Sequence, residues 1–360
     1  MAIEFSEKRW DYVMREYEAF WEGKATRPLA HVTLYGADPG RPAPDVPPFT
    51  MEHMHDFSYT ADQVIDRIDY EICCCKYIAQ GFPIVNMGMF GPGVVAAFLG
   101  AKVDNRTGTV WFHPPDGEID IHKLRFSYDP DNIWLERIRS LYVAGTKRWE
   151  GQVVMTMTDL GGVLDILASF LTTEGLLLAL IEEPEEVERL ASEITSLWRK
   201  YYDEFAALMP NRHGCAEWGH MLSAKRTFML QNDVTYMISP KLFERFALPG
   251  LREICGWLPR SFYHLDGVGQ LPHLDALLSI GNLTGIQWIP GGNKPTAAFW
   301  PEVLKKIRDG GKLAQTFDLW NAKLSVDALD GGAGLHIIGS GNIGDEDAIK
   351  RILDESGIEH

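Results

Sequence analysis

The chain has 360 residues, 46% of them hydrophobic and 23% charged, with a net charge of −16. These proportions are those of a globular protein with a substantial core, and the length admits two average domains or one large α/β barrel. The acidic balance, with no basic stripe interleaved with aromatics, excludes a nucleic-acid footprint.

The opening "MAIEFSEKRWDYVMREYEAFWEG" reads as a charged amphipathic helix over 1–25 and lacks the apolar centre of a signal peptide. No run reaches the ~20 apolar residues of a membrane span. The most apolar stretch, "GGVLDILASFLTTEGLLLALI", carries Asp165 and Glu174. A cytoplasmic chain is therefore expected, without membrane or nucleic-acid partners. Cys73, Cys74 and Cys75 are adjacent, no CxxC or Cys/His zinc spacing occurs, and the total of five is odd. Buried thiols in a reducing compartment account for that pattern.

Eight short apolar or alternating runs follow one another, each ending in Gly, Asp, Asn or Pro. They are "AHVTLYG" (30–36), "FPIVNMG" (82–88), "QVVMTMTD" (152–159), "GCAEWG" (214–219), "SFYHLDG" (261–267), "GIQWIPG" (285–291), "KLAQTFD" (312–318) and "LHIIGSG" (335–341). Helical patterning separates most of them. Residues 60–80 open on a Thr cap, residues 183–208 start with Pro184 and early acids, and residues 239–258 start with Ser-Pro. Pro249 should kink or break the last of these. Further helices fit 270–279, 299–309 and 345–355. Strand–helix alternation repeated eight times predicts a (β/α)8 barrel, a TIM barrel of the α/β class, as a single domain over 1–360. The 37–60 segment is Pro-rich and 89–150 is long, so both are expected to be loops over a site.

A barrel builds its site from the C-terminal ends of its strands. Those ends carry Asn86, Asp159, Glu217, His264, Asp266, Trp288, Asp318 and Ser340, with Asp233 in the loop-helix after the fourth strand. Five carboxylates and a histidine at one rim would bind a cation, share protons or grip a polar substrate. Glu217, Asp233 and His264 are the expected metal ligands, in the mixed N/O set that suits catalytic zinc, manganese or iron. Spacing leaves a second reading open, that of a hydrogen-bonded polar rim. Asp233, His264 and Asp266 are the expected catalytic groups; Asn86, Asp159, Trp288 and Ser340 are expected to contact a small-molecule substrate. His273 and Asp275 are expected on the polar first turn of the helix begun by Pro272.

"ISPKLFERFALPGL" (238–251), "SFYHLDG" and "IIGSGNIG" (337–344) together resemble segments of uroporphyrinogen decarboxylase and its relatives, the zinc- and corrinoid-linked methyltransferases. The resemblance spans roughly residues 60 to 355 in strand order and implies the same (β/α)8 fold. It also implies departures. "LYGADPGRP" puts Tyr35 and Gly36 where the decarboxylases carry an arginine-rich segment, Ser340 stands for their late-strand histidine, and Asn86 is the nearest candidate for their pyrrole-holding Asp. A porphyrinogen polyanion would have little to hold it. Asp266 and Ser340 replace the two cysteines of the thiol-methylating relatives, which removes a two-thiolate zinc site. The resemblance thus implies methyl transfer from a small or aromatic donor, assisted by zinc on Glu217, Asp233 and His264, with Asp266 as a further ligand or its partner. The methyl acceptor would be a corrinoid carried by a separate partner protein, because the chain has no Asp-x-His-x-x-Gly module. A second copy of the chain is a further candidate partner. The alternatives are a metal-free decarboxylase or lyase acting on a non-porphyrin carboxylate, with Asp233 or Asp266 as proton donor, and a ligand-binding barrel without catalysis.

Overall fold

The computed structural model describes residues 3, 5–117, 119–209 and 212–360. Eleven strands are defined among them: β1 (Leu29–Tyr35), β2 (Cys75–Ala79), β3 (Ile84–Val85), β4 (Lys102–Asp104), β5 (Trp111–His113), β6 (Val154–Met155), β7 (Thr227–Leu230), β8 (Arg260–Asp266), β9 (Gly285–Ile289), β10 (Leu313–Thr316) and β11 (Leu335–Asn342). Seven form one sheet in the order β2-β1-β11-β10-β9-β8-β7, parallel throughout except for β2, which flanks β1 antiparallel. β3 and β6 make a separate parallel pair, and β4 and β5 an antiparallel hairpin. The protein is thus a mixed α/β fold built on a mostly parallel sheet.

The principal helices are α1 (Glu7–Trp21), α2 (Ala61–Cys73), α3 (Ile133–Trp149), α4 (Val163–Leu171), α5 (Thr173–Glu182), α6 (Pro184–Leu208) and α7 (Leu248–Trp257). α1 begins where the Ser6 hydroxyl accepts from the Arg9 N–H, and α2 where Thr60 and Gln63 cap each other reciprocally. α6 buries Val187, Leu190, Ile194, Trp198, Tyr201 and Phe205, the three- and four-residue spacing of one helix face. α1 packs Trp10, Tyr17, Phe20 and Trp21 against Leu29, Phe82, Val154 and Phe262, residues at or near the N-terminal ends of strands. α1 therefore plugs one end of the sheet and leaves the C-terminal ends for a site. Among the described residues no single helix is long and apolar enough to cross a membrane; α4 and α5 together would be, but meet at 104°.

Several elements differ from expectation. Residues 214–219 form no strand; they make one isolated bridge, Cys215 to Ser223, and the strand that pairs with β8 is β7. The Glu217 carboxylate takes the N–H groups of Gly219 and Met221, so this backbone is drawn into a turn instead of a ladder. The helix expected over 60–80 ends at Cys73, because Cys75–Ala79 finds a partner in β1. The helix expected over 1–25 is shorter, and residues 1, 2 and 4 lie outside the described residues. The 37–60 segment has turns and no helix or strand, as a loop should, whereas 89–150 contains the β4–β5 hairpin and α3. Pro249 acts one turn upstream: Phe243–Ala247 widens into a π-turn, which relieves the clash of the proline ring with the Arg245 carbonyl.

Candidate active site

Two loops at the strand ends lock each other. Asp165, in the first turn of α4, accepts the backbone N–H groups of Asp233 and Val234, both at 2.8 Å. In return the Asn232 Oδ1 accepts the Leu164 N–H at 3.0 Å. This exchange stands Asp233 beside a cavity of about 360 Å³ whose lining includes Trp111, Phe112, Asp165, Gln231, Asp233 and Met237, and no basic residue. Gln231 is 4% exposed. His264 and Asp266 lie two apart on β8 and so share a face. The His264 Nε2 stands 3.9 Å from the Asp266 Oδ2, and the Trp218 ring meets the imidazole edge-on at 5.0 Å.

Parallel register carries that face across the sheet. His264 lies opposite Gln287, Gln287 opposite Gln315, and Gln315 opposite His336, a polar row across four strands. The His264 Nδ1 bonds the Gln287 Oε1, and the Gln287 Nε2 donates to the Gln315 Oε1. The Gln315 Nε2 donates to the Gly219 carbonyl at 2.8 Å and meets the His336 Nδ1 at 2.7 Å. The His336 Nε2 lies 2.9 Å from the Tyr17 hydroxyl of α1.

Burial without compensating cations shapes the electrostatics. Asp159 and Asp165 are each pushed up to about 7 by burial, with repulsion from Asp233 adding to both. Asp233 is exposed, but to the cavity, and burial of its carboxyl together with repulsion from Asp266 takes it to about 6. Glu217 rises to about 8 through burial. His264 is lowered by burial, opposed by its bond to Gln287 and by the charges of Asp266 and Asp165. Among the described residues, the only ion pair involving any of these groups is His264 with Asp266.

Of the residues singled out in the sequence, Asp233, His264 and Asp266 come together, with Asp159 adjoining. The set of three expected zinc ligands does not form: Glu217 is fully buried, both its oxygens are held by its own turn, and no group of three or more His, Cys, Asp or Glu among the described residues could hold a metal. Trp288 is no pocket wall. It sits on the face of β9 opposite Gln287, fully buried beside Leu265 and edge-on to Trp300 at 5.8 Å. Asn86 caps a turn by accepting the Gly88 N–H at 2.9 Å, next to Asp159, and Ser340 is exposed on β11. Asp318 accepts from the Ala298 N–H, in the loop after β9, and from the Asn321 amide of its own loop, tying the two together. His273 is not on a polar face: it is fully buried, stacked on Phe243 at 4.4 Å and bonded to the Thr235 carbonyl at 2.8 Å. Sequence reading missed Asp165, Gln287, Gln315 and His336. The signal was a lone polar residue inside each apolar run, as in "GIQWI" and "KLAQT". Comparison with known proteins returns neither a matching family model nor a matching curated protein.

Proposed function

We propose that the chain is a (β/α)8 barrel of the uroporphyrinogen decarboxylase-like kind and an acid–base enzyme of the lyase or decarboxylase type. Eight strands in parallel pairings, β1, β3 and β6 to β11 in chain order, support the barrel, with β2 and the β4–β5 hairpin as additions. The observation that carries the chemistry is the union of two opposites at one end of the sheet. His264 commits its Nδ1 to Gln287, which leaves Nε2 to face Asp266 and to act as the base. Asp165 and Asp233 beside it hold protons up to about pH 7 and 6. A histidine that burial keeps neutral, beside carboxyls that burial pushes up toward neutrality, is what proton transfer near pH 7 needs. Asp233, Trp111 and Phe112 line the cavity while His264 lies outside its lining, near Asp165; His264 would take a proton from a substrate atom that reaches past Asp165, and Asp233 would return one to another. With no basic residue in the cavity lining, a polyanion would find no partner there, and the substrate carries at most one carboxylate.

Incubation in D2O with a metabolite extract, read by mass spectrometry, tests this. The expectation is that one or a few metabolites carrying at most one carboxylate gain deuterium or lose a fragment, and that His264→Ala and Asp233→Asn abolish the change. No altered metabolite, or a change that survives both substitutions, refutes the proposal.

Methyl transfer to a corrinoid-bearing partner is the second reading, and a specific observation favours it. Tyr35, Tyr236, Met237, Phe299, Phe317 and Trp320 are large, apolar and 45–55% exposed, and lie at strand C-terminal ends or in the segments that follow them. Such a rim is larger than a small substrate needs and suits a docked macromolecule. Asp233 would then protonate the heteroatom that the methyl group leaves. Zinc on Glu217, Asp233 and His264 does not fit this reading, since Glu217 is engaged elsewhere. Crystals grown without added metal decide between the two: a zinc-edge anomalous peak bonded to His264 Nε2 would end its role as base. Demethylation dependent on a cobalt(I) corrinoid would favour the second reading.

A further inference from the structure

The polar row beneath the site contains at its centre a group whose hydrogen-bonding role is fixed by chemistry alone, the Gly219 carbonyl. A carbonyl oxygen can only accept. The Gln315 amide nitrogen must therefore face it, because the reversed amide would set two oxygens against each other at 2.8 Å. Every other assignment follows. The Gln315 Oε1 is then an acceptor, so Gln287 presents its Nε2 there and turns its own Oε1 to His264. An amide oxygen accepts, so His264 must carry its proton on Nδ1. In the other direction, the second N–H of Gln315 points at the His336 Nδ1, which must be bare. The proton of His336 then sits on Nε2 and is donated to the Tyr17 oxygen, whose own O–H donates to the His220 carbonyl at 3.1 Å. Gln287, Gln315, His336 and Tyr17 are all fully buried, so water is not at hand to substitute for a missing partner.

The carbonyl itself is placed by Glu217. Its carboxylate holds the Gly219 and Met221 N–H groups and so forms the turn that presents the Gly219 oxygen to Gln315. Space there is closed: a Cβ on Gly219 would lie 2.8 Å from the Glu217 Oε2 and 2.9 Å from the Gln315 Oε1.

We infer that Glu217, Gln315 and Gln287 are positioning residues that together fix His264 as its Nδ1–H tautomer, with Nε2 bare toward the carboxylates, and that they fix His336 as the opposite tautomer. The inference deepens the acid–base reading of His264 and rests on that reading for its consequence, since the wrong tautomer would point a donor at the substrate where a base is required. It also gives Glu217 a task other than metal ligation.

Long-range proton–nitrogen correlation on the full chain labelled with 15N-histidine, taken above pH 7 where the imidazoles are neutral, reads the tautomers directly. His264 is expected with a pyrrole-type Nδ1 and a pyridine-type Nε2, and His336 with the reverse. Gln287→Met should shift His264 toward Nε2–H, whereas Gln287→Glu, which keeps an acceptor at the same place, should preserve Nδ1–H. Gln315→Met should disturb both histidines, and Glu217→Gln should do so while leaving the Gln287 and Gln315 side chains in place. His264 found as Nε2–H in the unaltered chain, or a tautomer indifferent to both methionine substitutions, overturns the inference. If the tautomers are as stated but His264→Ala leaves deuterium incorporation intact, the positioning row stands and the acid–base reading falls.

Discussion

Asp165→Asn separates what this carboxyl costs as a charge from what it contributes as an acceptor. Its carboxyl ionises at about 7 in the folded protein against an ordinary value of 3.8, chiefly because it is buried. Below the ordinary value both folded and unfolded states hold the proton, and the charge costs nothing. As pH rises past it, the unfolded chain releases the proton while the folded chain retains it, so stability falls until the folded carboxyl also ionises. The difference of about 3 pKa units is worth about 4 kcal/mol near pH 8 and about 1 kcal/mol near pH 4.5. Asparagine avoids this cost. It can accept only one of the two N–H groups of Asp233 and Val234, which leaves the other unpaired at about 1–3 kcal/mol at either pH. The variant should therefore be about 1–3 kcal/mol more stable than the parent near pH 8, and equal or less stable near pH 4.5. Unfolding entropy scales as about 2.1 cal/mol/K per residue, so the swing of about 3 kcal/mol appears as a relative Tm change of about 4 °C. Calorimetry of both proteins at the two pH values measures it. A Tm difference that is the same at both would mean that Asp165 ionises normally, and the electrostatic account of the site would fail.

Four further substitutions test placement. Trp288→Ala should cost about 3–5 kcal/mol in urea unfolding, while leaving the His264 resonances unmoved, because Trp288 packs on the far face of β9. Gly219→Ala should cost about 1–3 kcal/mol by overpacking and shift His264; Gly281→Ala, whose Cβ would meet nothing within 4 Å, should stay within about 0.5 kcal/mol. His273→Ala should lose about 2–3 kcal/mol with its stack on Phe243 and its bond to the Thr235 carbonyl, and a surface-like cost would refute its burial.

The parts legible in the sequence are those where periodicity and end-signals agree. Thr60 and Pro184 mark helix starts that the structure uses, and β1, β8, β9, β10 and β11 fall where apolar runs end in Gly, Asp or Asn. "GCAEWG" failed because a side-chain carboxylate competes with the ladder for backbone N–H groups, a contest that apolar patterning does not register. "CCCKYIA" failed because strand pairing with β1 overrode a helical pattern. His264 and Asp266 were readable as a pair since alternation puts them on one face. Asp165 was not, because it acts on a loop 68 residues away. Trp288 shows the converse: alternation within "GIQWI" sends Gln287 to the site and the tryptophan to the core, and the larger side chain drew attention first.

The central claim is that carboxyls titrating near neutrality share one end of the sheet with a histidine that burial keeps neutral. Carboxyl-carbon NMR of the chain labelled with 13C-aspartate, followed across pH 4 to 8.5 and assigned through Asp159→Asn, Asp165→Asn and Asp233→Asn, measures it directly. The prediction is that Asp159 and Asp165 titrate at about 7 and Asp233 at about 6. Titration of all three below pH 5 would contradict it.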